Sequence, residues 1–521
     1  MKHVVCLLIA FSTSIFLFAQ TETIRKYATQ IQSAELKKHL SIIASDSLQG
    51  RETGTIGQRM AADYLENQFR AIGLNYPQAL GGYQQVFPLQ KDSFVSARLK
   101  IGFEELQVMQ DFLIPLRSNN LFDISATELV FMGYGIDDPM YNDYVDRDVM
   151  GKIAVMITGE PKRNGKYFIS GSDRASDWSL EKKLMRAADA GAVAALVIDR
   201  TEKTFSERQI RRNRKTNVYP IVALPQGLPY ALITWQTAIK FLHADFEAIE
   251  PFAREQLFVN EIRPEMLKPV SFGFVKGNET IETSNVLGVI EGDEKKDEYV
   301  FVTAHYDHLG IQDGVIYNGA DDDGSGTVSL IEMARVFMKA KKDGMKMKRS
   351  LVFMAVSGEE KGLLGSEFYA EHPVFPLEKT SVDLNIDMIG RVDTERKKAD
   401  TLNYIYVVGH DKISTDLQKI NEAANKASSN LTLDYKFDDP KDPNRIYYRS
   451  DHYNFAKNGV PVLFFYDGML KSDYHQPTDD IQFIKWNLFV KRARMIFHTA
   501  WEMAQLPTML KRDLPMPVGE R

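Results

Sequence analysis

From residue 286 onward, short apolar runs alternate with stretches of helical periodicity, and that alternation leaves few folds open. Segments 286–290, 299–304, 350–356, 382–386, 404–408 and 460–466 read as buried strands, with helices expected at 327–341, 365–371, 414–427 and 486–505. Such a pattern predicts an α/β fold, a three-layer sandwich around a mostly parallel central sheet. Side chains with chemistry to do are then expected in loops just past the strand C-termini.

At 521 residues the chain is too long for one ordinary domain. Helical text from 35 to 74 breaks at Gly50-Arg51-Glu52-Thr53-Gly54, and strand-like runs follow near 83–88 and 97–103. The character changes near residue 120. A β-rich stretch follows, with strands expected at 128–136, 151–157 and 192–198 and a helix at 184–191. The expected layout is a signal segment (1–20), the first part of the main domain (21–119), an inserted β-rich domain (120–265), the rest of the main domain (266–510) and a tail (511–521).

Residues 4–18 form an apolar run after Lys2 and His3, followed by Ala19-Gln20. A positive start, a short apolar core and a small residue describe a cleavable export signal, too short to span a bilayer comfortably. The expectation is a periplasmic or extracellular protein, from a Gram-negative bacterium, with no stable membrane span once the signal is removed. The single cysteine, Cys6, lies in that segment, so the mature chain has no thiol for disulfides or nucleophilic catalysis. A net charge of -6 and a pI near 6.0 argue against nucleic acid as a partner. The one basic run, 208–215, reads as a solvated loop.

Five motifs carry candidate chemistry. His305-Tyr306-Asp307-His308 follows the strand at 299–304. Residues two apart on extended chain face the same way, so Asp307 is placed to accept a proton from the His305 ring. His308 is expected to cap or hydrogen-bond locally. Gly319-Ala320-Asp321-Asp322-Asp323-Gly324-Ser325-Gly326 packs three carboxylates between glycines. Its Asp-x-Asp-x-Ser-Gly spacing imitates a calcium loop, but no helix precedes it and Glu332 sits well inside the following helix. Ser357-Gly358-Glu359-Glu360 follows the strand at 350–356, and Asp387 ends the strand at 382–386. His475 lies in Asp473-Tyr474-His475-Gln476-Pro477, after the strand at 460–466. His305, Asp322, Glu360, Asp387 and His475 form a two-imidazole, three-carboxylate set, the ligand inventory of a paired zinc site. Neighbouring Glu359 is free to act as a base.

Together these motifs closely resemble those of the di-zinc exopeptidase family of secreted bacterial leucyl aminopeptidase and glutamate carboxypeptidase, of which the transferrin receptor ectodomain is a non-catalytic relative. The resemblance covers about 34–83 and 285–506, and the intervening stretch looks like a protease-associated (PA) domain. It implies two Zn2+ per chain, one held by His305 and Asp387, the other by Glu360 and His475, with Asp322 bridging. It also implies that Glu359 is the general base for a water activated between the ions, that Asp307 orients His305 and that Tyr474 steadies an oxyanion. A cis peptide between Asp322 and Asp323 is a further implication. The expected function is an exported aminopeptidase releasing N-terminal residues from peptides, because the segment 459–466 lacks the arginine with which the carboxypeptidase branch grips a terminal carboxylate. Arg449 stands ready either to meet substrate or to pair with Asp451. The alternatives are a carboxypeptidase-like enzyme, a single-zinc glutaminyl cyclase of the same fold, or a binding ectodomain without catalysis.

Overall fold

A computed structural model of the chain describes residues 22–199, 204–206, 209–210, 217–221, 227–242, 265–439 and 441–516. The expected export signal and most of the basic run 208–215 lie outside the described residues. Two compact units emerge, Met1–Pro88 with Glu282–Arg521, and Leu89–Ile281.

The first unit opens with α1 (Ser33–Ile43) and α2 (Ile56–Ile72). In α2, Ala61, Ala62, Leu65 and Phe69 form the buried stripe that helical spacing requires. The Thr55 side chain accepts the Gln58 N–H to start α2, and Gly73, at φ 93°, ends it. The chain leaves this unit along β1 (Gln84–Ile101), one continuous strand where two separate runs were expected.

In the second unit, β2 (Phe122–Phe131), β3 (Ile153–Ile157), β4 (Ala194–Asp199) and β5 (Tyr230–Thr234) pair in parallel in that order, with helix α3 (Leu180–Asp189) between β3 and β4. Its core gathers Phe112, Leu129, Phe131, Val155, Leu196, Ile233 and Phe272. Strand β6 (Glu265–Ile290) runs antiparallel to β2 over residues 265–274, and its far end, from Glu282, belongs to the first unit.

There follow β7 (Lys295–His305), α4 (Gly324–Lys342), β8 (Arg349–Val356), α5 (Leu364–Glu371), β9 (Thr380–Ile386), β10 (Tyr404–Val408), α6 (Leu417–Ala427), β11 (Thr432–Asp434), α7 (His452–Ala456), β12 (Val462–Tyr466) and α8 (Trp486–Gln505). The sheet order is β11-β10-β12-β9-β7-β8-β6. Strand β7 is parallel to both β8 and β9, β9 to β12 and β10 to β11; only β8–β6 and β10–β12 are antiparallel. Alternate residues of each strand enter opposite cores. Val300, Val302, Leu351 and Phe353 join Phe337 and Trp501 on one face. Phe301, Val352 and Met354 join Tyr369 and Phe455 on the other. A sheet covered on both faces by helices is the three-layer architecture the alternation predicts.

Candidate metal centre

Each candidate residue stands where a strand runs out or a helix begins. His305 is the last residue of β7, Glu359 and Glu360 lie just past β8, and Asp387 lies one residue past β9. His475 comes from the loop after β12. Asp322 precedes α4, whose N-cap is Asp323, its carboxylate accepting the Gly326 N–H at 2.9 Å. The five expected ligands, 170 residues apart at the extremes, converge. The Nε2 of His305 lies 3.2 Å from Asp322 Oδ1 and 3.6 Å from Asp387 Oδ1. On the other side, His475 Nε2 lies 3.2 Å from Asp322 Oδ2 and 3.1 Å from Glu360 Oε2. Asp322 thus turns one oxygen to each imidazole–carboxylate pair. Glu359 places Oε2 3.9 Å from His305 Nε2.

The backbone is shaped to hold this. The Asp322–Asp323 peptide is cis, as the resemblance implies. His475 (φ 56°) and Met388 (φ 62°, next to Asp387) occupy the left-handed region, which non-glycine residues adopt where surroundings enforce it. The Asp479 carboxylate accepts the Asp321 and Asp322 N–H groups at 3.0 and 2.9 Å. Ser450 Oγ donates to Asp387 Oδ2 at 2.6 Å and accepts Asn385 Nδ2 at 2.8 Å. Beneath the site, fully buried Arg51 donates to the carbonyls of Tyr306, Asn318 and Gly319 at 2.7, 2.7 and 3.1 Å. Sequence reasoning passed over Arg51, Asp479 and Ser450. Only Arg51 carried a signal, standing between glycines in an otherwise helical stretch.

Two expectations change in detail. Asp307 sits beside His305, but the atom facing Nδ1 is its main-chain carbonyl, at 3.1 Å. Its carboxylate, 3.8 Å from that nitrogen, instead accepts Thr53 Oγ1 at 2.7 Å and the Glu359 N–H at 3.2 Å. The extended spacing set the right neighbours, but past the end of β7 the carbonyl rather than the carboxylate comes nearest the ring. His308, expected to act locally, is fully buried, its Nδ1 2.8 Å from Glu360 Oε1. Tyr474 stacks on His475 with ring centroids 3.9 Å apart, and its hydroxyl accepts Arg449 Nη2 at 3.0 Å.

The donor set fits a cation. His305 Nε2, His308 Nδ1, Asp322 Oδ2 and Glu360 Oε1 are buried with no hydrogen-bond partner, an arrangement that is costly unless a positive ion joins them. Titration follows from the crowding. Burial alone would lower both imidazoles, but Glu359 and Asp387 hold His305 well above its ordinary value, and Glu360 and Asp322 raise His475 to about 10. Burial, with Glu360 and Asp387, lifts Glu359 well above the usual carboxylate range despite the opposing pull of His305. Burial and Asp322 push Glu360 up too, but His475 and His308 outweigh them and take it down to about 2. Glu359 and Glu360, adjacent in sequence, are thus driven in opposite directions.

Two acid–imidazole clusters away from the site, around Glu332 and around Asp438, are paired internally. Glu332 of the calcium-loop imitation is forked by Arg335 at 2.9 and 2.8 Å. Asp438, beside His410, is paired with Lys412. Asp322, Glu359 and Asp387 open onto a pocket walled by Met388, Ile446, Phe464, Tyr466 and Leu470, with Arg449 and Tyr474 on its rim. Apolar side chains thus border the clustered carboxylates, the mixture from which binding pockets are built.

Residues 285–500 match the model of peptidase family M28. The chain is 30% identical over 258 residues to Aminopeptidase YwaD of Bacillus subtilis, covering 45% of this chain and 49% of that protein. It is 27% identical over 234 residues to Aminopeptidase Y of Saccharomyces cerevisiae, covering 42% and 39%. The chain therefore spans about half or less of these curated relatives. In fold it is similar to an aminopeptidase from Aneurinibacillus sp. strain AM-1, with a TM-score of 0.59 at 20% identity over 95% of this chain and 98% of that one.

Proposed function

This chain belongs to peptidase family M28 through residues 285–500, and on that premise we propose that it is an exported zinc aminopeptidase that releases N-terminal residues from peptides. The observation that carries this reading is the pair of imidazole–carboxylate groups sharing Asp322, with Glu359 beside them and an apolar pocket in front. His305 and Asp387 would hold one zinc, Glu360 and His475 a second, and Asp322 both. Bound there, zinc polarises a peptide carbonyl and acidifies water.

The rest falls to the protein. Glu359, 3.9 Å from His305 and outside the five-residue ligand set, takes a proton from the attacking water and returns it to the leaving amine. Asp307 fixes the Glu359 backbone through its N–H and faces His305 with its carbonyl. Tyr474, steadied by Arg449, offers its hydroxyl to oxygen charge developing in the pocket. Met388, Phe464 and Leu470 suit an apolar first side chain. The Leu89–Ile281 unit is read as a PA-like insertion outside the chemistry. All acid–imidazole clusters among the described residues lie in the other unit, which supports that reading. Export is supported by the apolar run at 4–18, and no described helix is long and apolar enough to cross a membrane.

One observation favours a second reading. Arg449 lines the pocket, where its guanidinium would suit a substrate's terminal carboxylate, as in a carboxypeptidase. The deciding experiment assays the purified chain on peptides blocked at either end and on aminoacyl chromogenic substrates, with and without chelator, alongside metal analysis. Chelator-sensitive cleavage that survives C-terminal amidation and stops on N-terminal acetylation is expected. The opposite pattern would establish the carboxypeptidase, and cleavage untouched by chelator would end both readings.

A further inference from the structure

We propose that His308 is a further protein ligand of the metal centre, its Nδ1 completing the position formed by Glu360, His475 and Asp322. The inference deepens the reading above and rests on it. It stands on four buried polar atoms. The Nδ1 of His308 lies 2.8 Å from Glu360 Oε1 and 4.0 Å from Asp322 Oδ2. Yet His308 Nδ1 and Nε2, Glu360 Oε1 and Asp322 Oδ2 all lack a hydrogen-bond partner. The close approach to Glu360 is therefore not an aligned hydrogen bond. An imidazole nitrogen and two carboxylate oxygens turned toward one point, each otherwise unsatisfied, are a donor set for a divalent cation.

The ring is held in place by design of the surrounding chain. His308 is fully buried, and its backbone N–H donates to the Arg51 carbonyl at 3.3 Å. A Cβ at Gly319 would fall 2.5 Å from the ring's Cγ and Cδ2, so the absence of a side chain there is what makes room for the imidazole. Arg51 then fixes the Gly319 carbonyl, closing the frame around the ring. Glu360 is approached from both oxygens, by His308 at Oε1 and by His475 at Oε2, with ring centroids 6.0 Å apart and planes at 72°. His475 is about a third exposed on its loop, whereas His308 is sealed in. The centre would thus be asymmetric, with two imidazoles at the Glu360 position and one at the Asp387 position.

The test uses the full chain, stripped of metal and titrated with cobalt(II). Wild-type protein should take up two equivalents in resolvable steps. In His308→Gln, whose amide still reaches Glu360 as a hydrogen-bond donor, the step that His475→Ala also weakens should lose about ten- to a hundredfold in affinity. Its visible ligand-field absorption should change as well. An unchanged spectrum, with or without weaker binding, would overturn the assignment, because a hydrogen-bonding role alone leaves the ligand field intact. X-ray absorption on zinc-loaded wild-type protein reads the same point without a variant that must fold. Three imidazoles across the two ions are expected, and two would refute the proposal. Failure of wild-type protein to bind cobalt at all would instead sink the metal-centre reading itself.

Discussion

Glu359 and Glu360 show how far one position along the chain can separate two environments. Glu360 makes close contacts with His475 and His308, whereas Glu359 stands back at 3.9 Å from His305. Glu359→Gln should therefore retain full metal content while kcat falls by about two to four orders of magnitude. Near-normal turnover by a fully loaded variant would remove Glu359 from the proton transfer. Asp322→Ala should instead lower metal content, since one carboxylate serves both positions, and full occupancy would contradict the bridge. Another histidine reports on stability rather than chemistry. His452 is buried against Phe464, ring centroids 4.6 Å apart, and burial lowers it from 6.5 to about 3. Below pH 6.5 the unfolded chain gains a proton that the folded chain refuses. Its stabilising effect is thus complete above that pH and drains away as pH falls toward 3, by at most about 1.4 kcal/mol per unit. His452→Phe should flatten the acid side of a plot of Tm against pH, and an unaltered slope would refute this. At this scale the five residues that converge were legible because four sit in glycine-flanked or strand-end motifs and His475 in the run Asp473-Tyr474-His475-Gln476-Pro477. His308, Ser450 and Asp479 were not, because what makes them matter is a contact across 52, 63 or 157 residues that no local pattern encodes.

The elements were legible where periodicity alone forms them, and less so where a neighbour dictates the boundary. Strand 404–408 and helix 486–505 fall as expected, the first a short apolar run buried at every position, the second a long apolar helix buried over most of its surface. Helix α4 begins at Gly324, three residues before the expected start at 327. Glycine is a poor helix former, so the propensity of that first turn misleads. What decides it is proximity: a Cβ at Gly326 would meet the Ile386 carbonyl at 2.4 Å, and one at Gly324 would meet Leu40 at 2.7 Å. Small residues let the helix start tight against β9, which is how Asp322 comes to face Asp387. The same logic governs α5. A Cβ at Gly365 would lie 2.1 Å from the Ser357 carbonyl and 2.4 Å from Asn285 Oδ1. Neither can yield easily, because Asn285 also accepts the Ser357 N–H and donates to the Gly365 carbonyl. Gly365→Ala should cost about 1–3 kcal/mol in urea unfolding. It should also depress activity by displacing the loop that carries Glu359 and Glu360, and a variant as stable and active as wild type would disprove that packing argument.

Across the whole chain, the sequence announced a second unit but not its edges. Composition placed the joins at 119/120 and 265/266, whereas the compact units divide after Pro88 and after Ile281. Both divisions fall inside unbroken strands, β1 and β6, so no loop separates the units at either join. The hydrophobic cores do separate. Every residue of the Phe112–Phe131–Ile233 cluster lies in the second unit, and the clusters that include Phe337–Trp501 and Phe301–Phe455 lie in the first. Cores that share no residue can melt independently. The proposed metal ligands, in contrast, draw only on the first unit, and ions that bind only the folded form stabilise it by about 4 kcal/mol at a thousandfold excess over Kd. Removing them would also leave Asp322, Glu359, Glu360 and Asp387 crowded together without a shared counter-ion. Calorimetry of the intact chain should therefore show two transitions. A chelator should lower one by several degrees and leave the other where it was, and added zinc should restore it. If both transitions moved together, or neither did, the separation of cores and the placement of the cations in the first unit could not both be right.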